Sequence, residues 1–123
     1  MTKPTILIVD DEADNRHYLS KILSNFYNII TAENGEVGLQ KALESSPDLI
    51  LMDVQMPVLD GFQAFAKLRD HDQTKKTPII FTSGVENLGC KVKALEGEHK
   101  DWLEKPFRMK DLFAKVSDII DKI

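Results

Sequence analysis

The sequence predicts a three-layer α/β domain, a doubly wound five-stranded parallel sheet with helices on both faces. Three observations predict it. Short apolar runs of strand length alternate five times with segments whose apolar residues recur at helical spacing. Such alternation builds βαβ units, whose right-handed crossovers lay helices on both sides of a parallel sheet. The strongest runs, Thr5–Val9 (TILIV) and Leu49–Met52 (LILM), are apolar throughout, as strands covered on both faces are. Each run also ends at a polar residue: Asp10, Glu33, Asp53, Ser83 or Lys105. In a parallel sheet those ends share one edge, where open α/β sheets place their chemistry.

Thr5–Val9 runs into Asp10-Asp11-Glu12, and the first helix follows with Leu19, Ile22, Leu23 and Phe26 as its stripe. Acids in a first turn suit the helix dipole and capping, and two would satisfy that need. Asp10 and Asp11 also stand at a strand exit, as Asp53 does. Asn28–Ala32 (NIITA) is more polar and reads as a strand nearer an edge. Asn34-Gly35 makes the turn into a second helix carrying Val37, Leu39, Ala42 and Leu43, and Ser45-Ser46-Pro47 ends it. Leu49–Met52 stops on Asp53, Met56-Pro57 prevents the strand continuing, and Asp60 offers an N-cap to a helix bearing Phe62, Phe65 and Leu68. After a solvated loop over 71–78 come Ile79–Ser83 (IIFTS) and a helix from about Glu86 to Glu96 that buries Leu88, Val92 and Leu95. Gly89 inside that helix costs about 1 kcal/mol relative to alanine. Asp101–Glu104 is the fifth strand, and Met109, Leu112, Phe113, Val116, Ile119, Ile120 and Ile123 pattern the fifth helix.

A chain of 123 residues fits one domain spanning 1–123, and 42% hydrophobic with 29% charged residues is an ordinary globular balance. A net charge of −4 argues against direct nucleic-acid binding. The single Cys90 permits no internal disulfide and points to a reducing compartment. The opening apolar run is five residues long, too short for a signal peptide or a membrane span. The expectation is a cytoplasmic protein without membrane contact.

Asp10, Asp11 and Asp53 gathered at one edge would repel unless a cation sat among them. Oxygen ligands without nearby cysteine or histidine favour Mg²⁺, with Mn²⁺ possible, over zinc. Lys105 supplies a point positive charge and Ser83 a hydroxyl donor, both suited to a phosphoryl group. A carboxylate is ionised at neutral pH, so Asp53 needs no general base to attack phosphorus. His17, His71 and His99 show no metal-ligand spacing and read as surface residues.

In VDDE (9–12), DLILMDVQMPVLDG (48–61), PIIFTSG (78–84) and WLEKPF (102–107), the chain resembles the response-regulator receiver domains of two-component signalling. The likeness runs end to end, and in length it resembles the single-domain chemotaxis regulators. It implies a flavodoxin-like sheet of strand order 2-1-3-4-5. It also implies Asp53 as phospho-acceptor, Asp11 as direct magnesium ligand and Asp10 acting mainly through water. The backbone carbonyl of Gln55 would complete the metal shell, Ser83 would be the switch hydroxyl, Lys105 the phosphate-binding lysine and Trp102 the switch aromatic. Pro106 would follow Lys105 through a cis peptide bond. The implied function is a Mg²⁺-dependent phospho-accepting switch of a phosphorelay, not an enzyme acting on an external substrate. Its face of helix 4, strand 5 and helix 5 would bind partners. Those partners are a sensor histidine kinase or phosphotransfer protein upstream, and a protein effector or fused output domain downstream.

Three features depart from the family's usual pattern: Trp102 where tyrosine or phenylalanine is commoner, Glu98-His99-Lys100 before the fifth strand, and Arg108 at the start of helix 5. They bear on the output face and leave the acidic site intact. A flavin carrier is disfavoured by the acidic loop after the first strand. Rossmann and P-loop enzymes are excluded by the lack of GxGxxG and GxxxxGK[ST]. A haloacid-dehalogenase-type phosphatase wants an acid where Gln55 stands. The alternative that survives is a receiver-like interaction module that signals without phosphate. The intact Asp53, Asp11, Ser83 and Lys105 weigh against it.

Overall fold

The computed structural model describes residues 3–122. Strands and helices alternate as β1 (Thr5–Val9), α1 (Ala13–Leu23), β2 (Asn28–Ala32), α2 (Gly35–Ser45), β3 (Leu49–Asp53), α3 (Gly61–Arg69), β4 (Ile79–Ser83), α4 (Leu88–Ala94), β5 (Lys100–Glu104) and α5 (Met109–Asp121). All strand pairs are parallel and the sheet order is β2-β1-β3-β4-β5. This is the order implied by the resemblance, and it puts the more polar β2 at an edge. No helix among the described residues is long and apolar enough to cross a membrane.

The continuous apolar strands follow from having two covered faces, because successive side chains point to opposite sides. Leu7, Val9, Ile50, Met52, Ile79 and Phe81 pack with Phe65 and Leu68 of α3 and Leu88 and Val92 of α4. Ile6, Ile8, Leu49, Leu51, Ile80 and Leu103 pack with Leu23 of α1 and Leu112 and Val116 of α5. Every residue of β3 and β4 is buried. Each fully buried leucine, isoleucine or phenylalanine contributes about 1.5–3 kcal/mol, so a one-residue slip of register would be very costly. The register in turn levels the strand ends. Val9 lies opposite Met52, Asp53 opposite Thr82, and Ser83 opposite Glu104.

The structure corrects the sequence-based expectation at α4, which is seven residues long instead of spanning Glu86–Glu96. Asn87 is left-handed at φ 57° and Leu95 is already extended. The far end is held open by Arg69. Its guanidinium donates to the carbonyls of Thr74 (2.8 Å), Thr77 (2.8 Å), Glu98 (2.9 Å) and His99 (3.2 Å). It also stacks 4.5 Å above the Phe65 ring, and burial lowers its pKa. With Gly97 at φ 120° and His99 at φ 61°, residues 97–99 form a pinned turn that no helix could cross. Phe26 also departs from the expected stripe. It lies past the end of α1, is 59% exposed and meets Phe113 edge-on at 5.6 Å. Strand β5 starts one residue earlier than expected, at Lys100. Ile123, expected on α5, lies outside the described residues.

Candidate functional site

β1 and β3 deliver Asp10 and Asp53 to the same edge of the sheet, where both are buried at 3% and 5% exposure. Asp10 is the first residue past β1, its N–H donating to the Ala32 carbonyl at 3.1 Å. Its Oδ1 accepts the Glu12 N–H at 2.9 Å, and its carbonyl accepts from Arg16 Nη1 at 2.7 Å. These contacts fix the turn into α1, whose N-cap residue Glu12 makes no side-chain cap. Asp53 is fixed by the loop that leads from β3 into α3. Asp60 caps α3 through a capping box with Gln63, and the Gly61 N–H donates to the Val54 carbonyl at 2.9 Å. A side chain at Gly61 would collide with the Asp53 carbonyl oxygen, so glycine lets this loop close on the strand end. At the outer bend, Val58 is left-handed at φ 72°, a strained setting for a β-branched residue.

Lys105 reaches the pair from the turn after β5. Its Nζ lies 3.5 Å from Asp53 Oδ1 and 3.9 Å from Asp10 Oδ2. The Lys105 N–H donates to the Ser83 carbonyl at 2.8 Å, and Lys105-Pro106 is a cis peptide bond, as the resemblance implied. Burial pushes the Asp53 carboxyl up to about 6; Lys105 opposes the rise, while Asp10 and Asp11 add to it. Asp10, Asp11 and Glu12 can bring one carboxylate oxygen each within 4.8 Å of one another, a hard-oxygen set suited to a divalent cation. Glu12 was not among the ligands expected from the sequence. Its membership of the acidic run was the available signal.

The remaining expected residues take different places. Ser83 is fully buried and its Oγ accepts the Val85 N–H at 3.1 Å, which leaves the hydroxyl proton free to be donated. Gln55 lies in the bend after β3 with its side chain exposed. Trp102 lies on β5 opposite Phe81, packed on the core layer of α3 and α4, away from the carboxylates. His17, His71 and His99 are exposed. Arg108 provides no side-chain cap for α5, as its departure from the family pattern implied. A groove of about 510 Å³ runs from Asp10 and Lys105 past Asn15, Tyr18, Thr82 and Phe107. A larger hollow of about 630 Å³, lined by Pro47, Lys75, Lys76, His99 and Lys122, lies at the opposite ends of the strands and has no part in this site.

The parallel sheet thus gathers two buried carboxylates and a lysine at its carboxyl edge. Residues 6–117 match the response regulator receiver domain, and the chain belongs to that family, the signalling switches of two-component systems. It is 36% identical to the response regulator PleD of Caulobacter vibrioides over 115 residues, 93% of this chain and 25% of PleD. It thus spans about a quarter of that relative's length. Among solved structures, the chemotaxis protein CheY4 of Vibrio cholerae superposes with a TM-score of 0.86 at 31% identity, covering 96% of this chain and 99% of CheY4. The receiver domain of the sensor histidine kinase PA1611 from Pseudomonas aeruginosa matches equally well, with a TM-score of 0.86 at 27% identity, over 98% of this chain and 99% of that one. That structure has a magnesium ion coordinated in its active-site cleft.

Proposed function

We propose that this chain, read as one receiver domain over 1–123, accepts a phosphoryl group on Asp53 and signals through protein contacts in the cytoplasm. The observation that carries the reading is the placement of Asp53. It is buried at the sheet edge, 3.5 Å from the Lys105 ammonium, and burial, with Asp10 and Asp11 adding to it, raises its pKa. A carboxylate oxygen of Asp53 attacks the phosphorus of a phosphohistidine on a sensor kinase or phosphotransfer protein. The P–N bond breaks and the imidazole leaves, taking a proton from solvent. An acyl phosphate serves in the same way, with a carboxylate as leaving group. Asp10, Asp11, Asp53 and the Gln55 carbonyl would hold Mg²⁺; Glu12 lies within reach of Asp10 and Asp11. Bound there, the ion would neutralise charge on the phosphoryl oxygens. Lys105 adds a second positive charge to those oxygens, and Ser83 turns its free proton toward them.

Intact-mass analysis after incubation with acetyl phosphate and Mg²⁺ tests the reading. One added phosphoryl group, mapped to Asp53 and absent in EDTA, is the expected result. No addition would favour the phosphate-independent interaction module. Addition at another residue would overturn the assignment of Asp53.

In the receiver domains that this chain resembles, the residues two beyond the phospho-acceptor and the switch hydroxyl flank the approach of a hydrolytic water. Here they are the exposed Gln55 and the half-buried Val85. Val85 offers no side-chain hydrogen bond to that water. One such bond is worth about 1 kcal/mol, roughly fivefold in rate. Val85→Glu is expected to shorten the phosphoryl lifetime by about that factor, measured by loss of the added mass after donor removal. A parent protein that dephosphorylates as fast as the variant would refute this.

A further inference from the structure

Gly89 is the second residue of the shortest helix, where glycine weakens an already brief element. Its surroundings supply a reason for it. A Cβ at this position would lie 2.9 Å from both Cε2 and Cζ2 of Trp102 and 3.0 Å from its Nε1. Real Cβ atoms do not come that close to three ring atoms at once, so α4 can meet this indole only through a bare backbone. Two ammonium groups lie over the ring. Lys93 Nζ of α4 lies 5.4 Å from its centroid and Lys115 Nζ of α5 lies 5.9 Å away. Lys115 is itself held by Asp101 at 2.9 Å. On either side of Gly89, Leu88 and Val92 are fully buried, which anchors α4 to the core. If the two collide, the indole moves and the helix stays.

We propose that Gly89 is a positioning residue for Trp102: a notch in α4 that holds the indole against the helix, so that filling the notch displaces the indole without any phosphoryl group. The inference rests on the reading of Trp102 as the switch aromatic, and it adds what α4 contributes to that switch. With the indole in place, the weakest position of α4 is covered. With the indole gone, Gly89 is bare and the first turn of α4 loses the ring that packs against it. The position of one side chain thereby sets the local stability of the helix on the output face.

Trp102 is the only tryptophan, so fluorescence reports the notch alone. The experiment compares emission maximum and iodide quenching of the full chain and Gly89→Ala, both free of phosphate and divalent cations. It adds thermal melts of Gly89→Ala, Trp102→Phe and the double variant. Gly89→Ala is expected to change emission and quenching in the unliganded protein, and beryllofluoride with Mg²⁺ should then add a smaller change than in the parent. In the Trp102→Phe background, alanine at 89 should raise the melting midpoint by about 3–5 °C, the ordinary gain of alanine over glycine in a helix. In the parent background that gain should be absent or reversed. Parent-like emission and quenching in Gly89→Ala, or an equal melting shift in both backgrounds, would overturn the notch. Failure of the parent to take up phosphate would count against the proposed function and leave these unliganded comparisons to decide the notch by themselves.

Discussion

Asparagine in place of Asp53 is expected to abolish phosphoryl acceptance and, in EDTA at pH 7.5, to stabilise the fold. The carboxyl has an ordinary value of 3.8 and is pushed up to about 6 by burial, with help from Asp10 and Asp11. A group whose folded pKa is raised binds its proton more tightly in the folded state. Its stabilising contribution is complete below about pH 4 and is lost as pH rises through about 6. At neutral pH the folded protein therefore carries a buried charge that costs on the order of 1–3 kcal/mol. Asparagine has the same shape and no charge, so the melting midpoint should rise by roughly 3–10 °C. The gain should shrink toward zero near pH 4, where the parent carboxyl is protonated as well. Adding Mg²⁺ should raise the midpoint of the parent more than that of the variant, because only the parent offers the full carboxylate set. A variant less stable than the parent at pH 7.5, or a gain independent of pH, would show that Asp53 is not under electrostatic stress.

The same residues show what a sequence can and cannot reveal about this molecule. Strands β1, β2 and β4 were legible to the residue: β1 and β4 because an apolar run covered on both faces ends sharply where the sheet edge meets water, β2 because a more polar run suits an edge strand. The carboxylates were legible for the same reason: a charged residue abutting such a run can only sit at the edge. Strand order was not in the pattern of apolar residues and came from resemblance to a family. What escaped the reading depends on partners distant along the chain. Arg69 cuts α4 short by gathering carbonyls about 30 residues away, and nothing local to α4 announces it. Gly89 looked like a defect in a helix because its partner, Trp102, lies on another element. Phe26 fitted a helical stripe by spacing, yet α1 had already ended at Leu23.

The division between legible and hidden residues mirrors the division of labour in the site. The chemistry proposed for the sheet edge calls for side chains with few substitutes, such as Asp53 and Lys105, so residue type alone carries information. The α4 face works by packing, where glycine, tryptophan and a pinned turn acquire meaning only from one another. Two of the three departures from the family pattern, at 98–100 and 102, belong to this second group. Trp102 packs against Gly89, and Arg69 binds the carbonyls of Glu98 and His99. For Arg108 the structure shows only that α5 begins without a side-chain cap.

Lys105→Met should lower the rate of phosphoryl uptake from acetyl phosphate by about 10²–10³-fold, the usual cost of removing one preorganised donor at developing charge. Methionine preserves the length and apolar stem while deleting the ammonium that lies 3.5 Å from Asp53 and 3.9 Å from Asp10. Two effects combine in the loss. The phosphoryl oxygens lose a positive neighbour, and Asp53 loses the one nearby charge that holds its pKa down. The attacking carboxylate would then be protonated at a higher pH than in the parent, so part of the lost rate should return on raising the pH from 7 to 9. Lys105→Arg keeps the charge in a broader head and should recover only part of the activity. Binding of Mg²⁺, followed as the melting shift it produces, should be retained in Lys105→Met, because deleting a cation beside three acids removes a competitor. A rate within about threefold of the parent, far below the cost of one such donor, would remove Lys105 from the phosphoryl chemistry. A flat pH profile of the residual rate would show that the lysine does not govern the ionisation of Asp53.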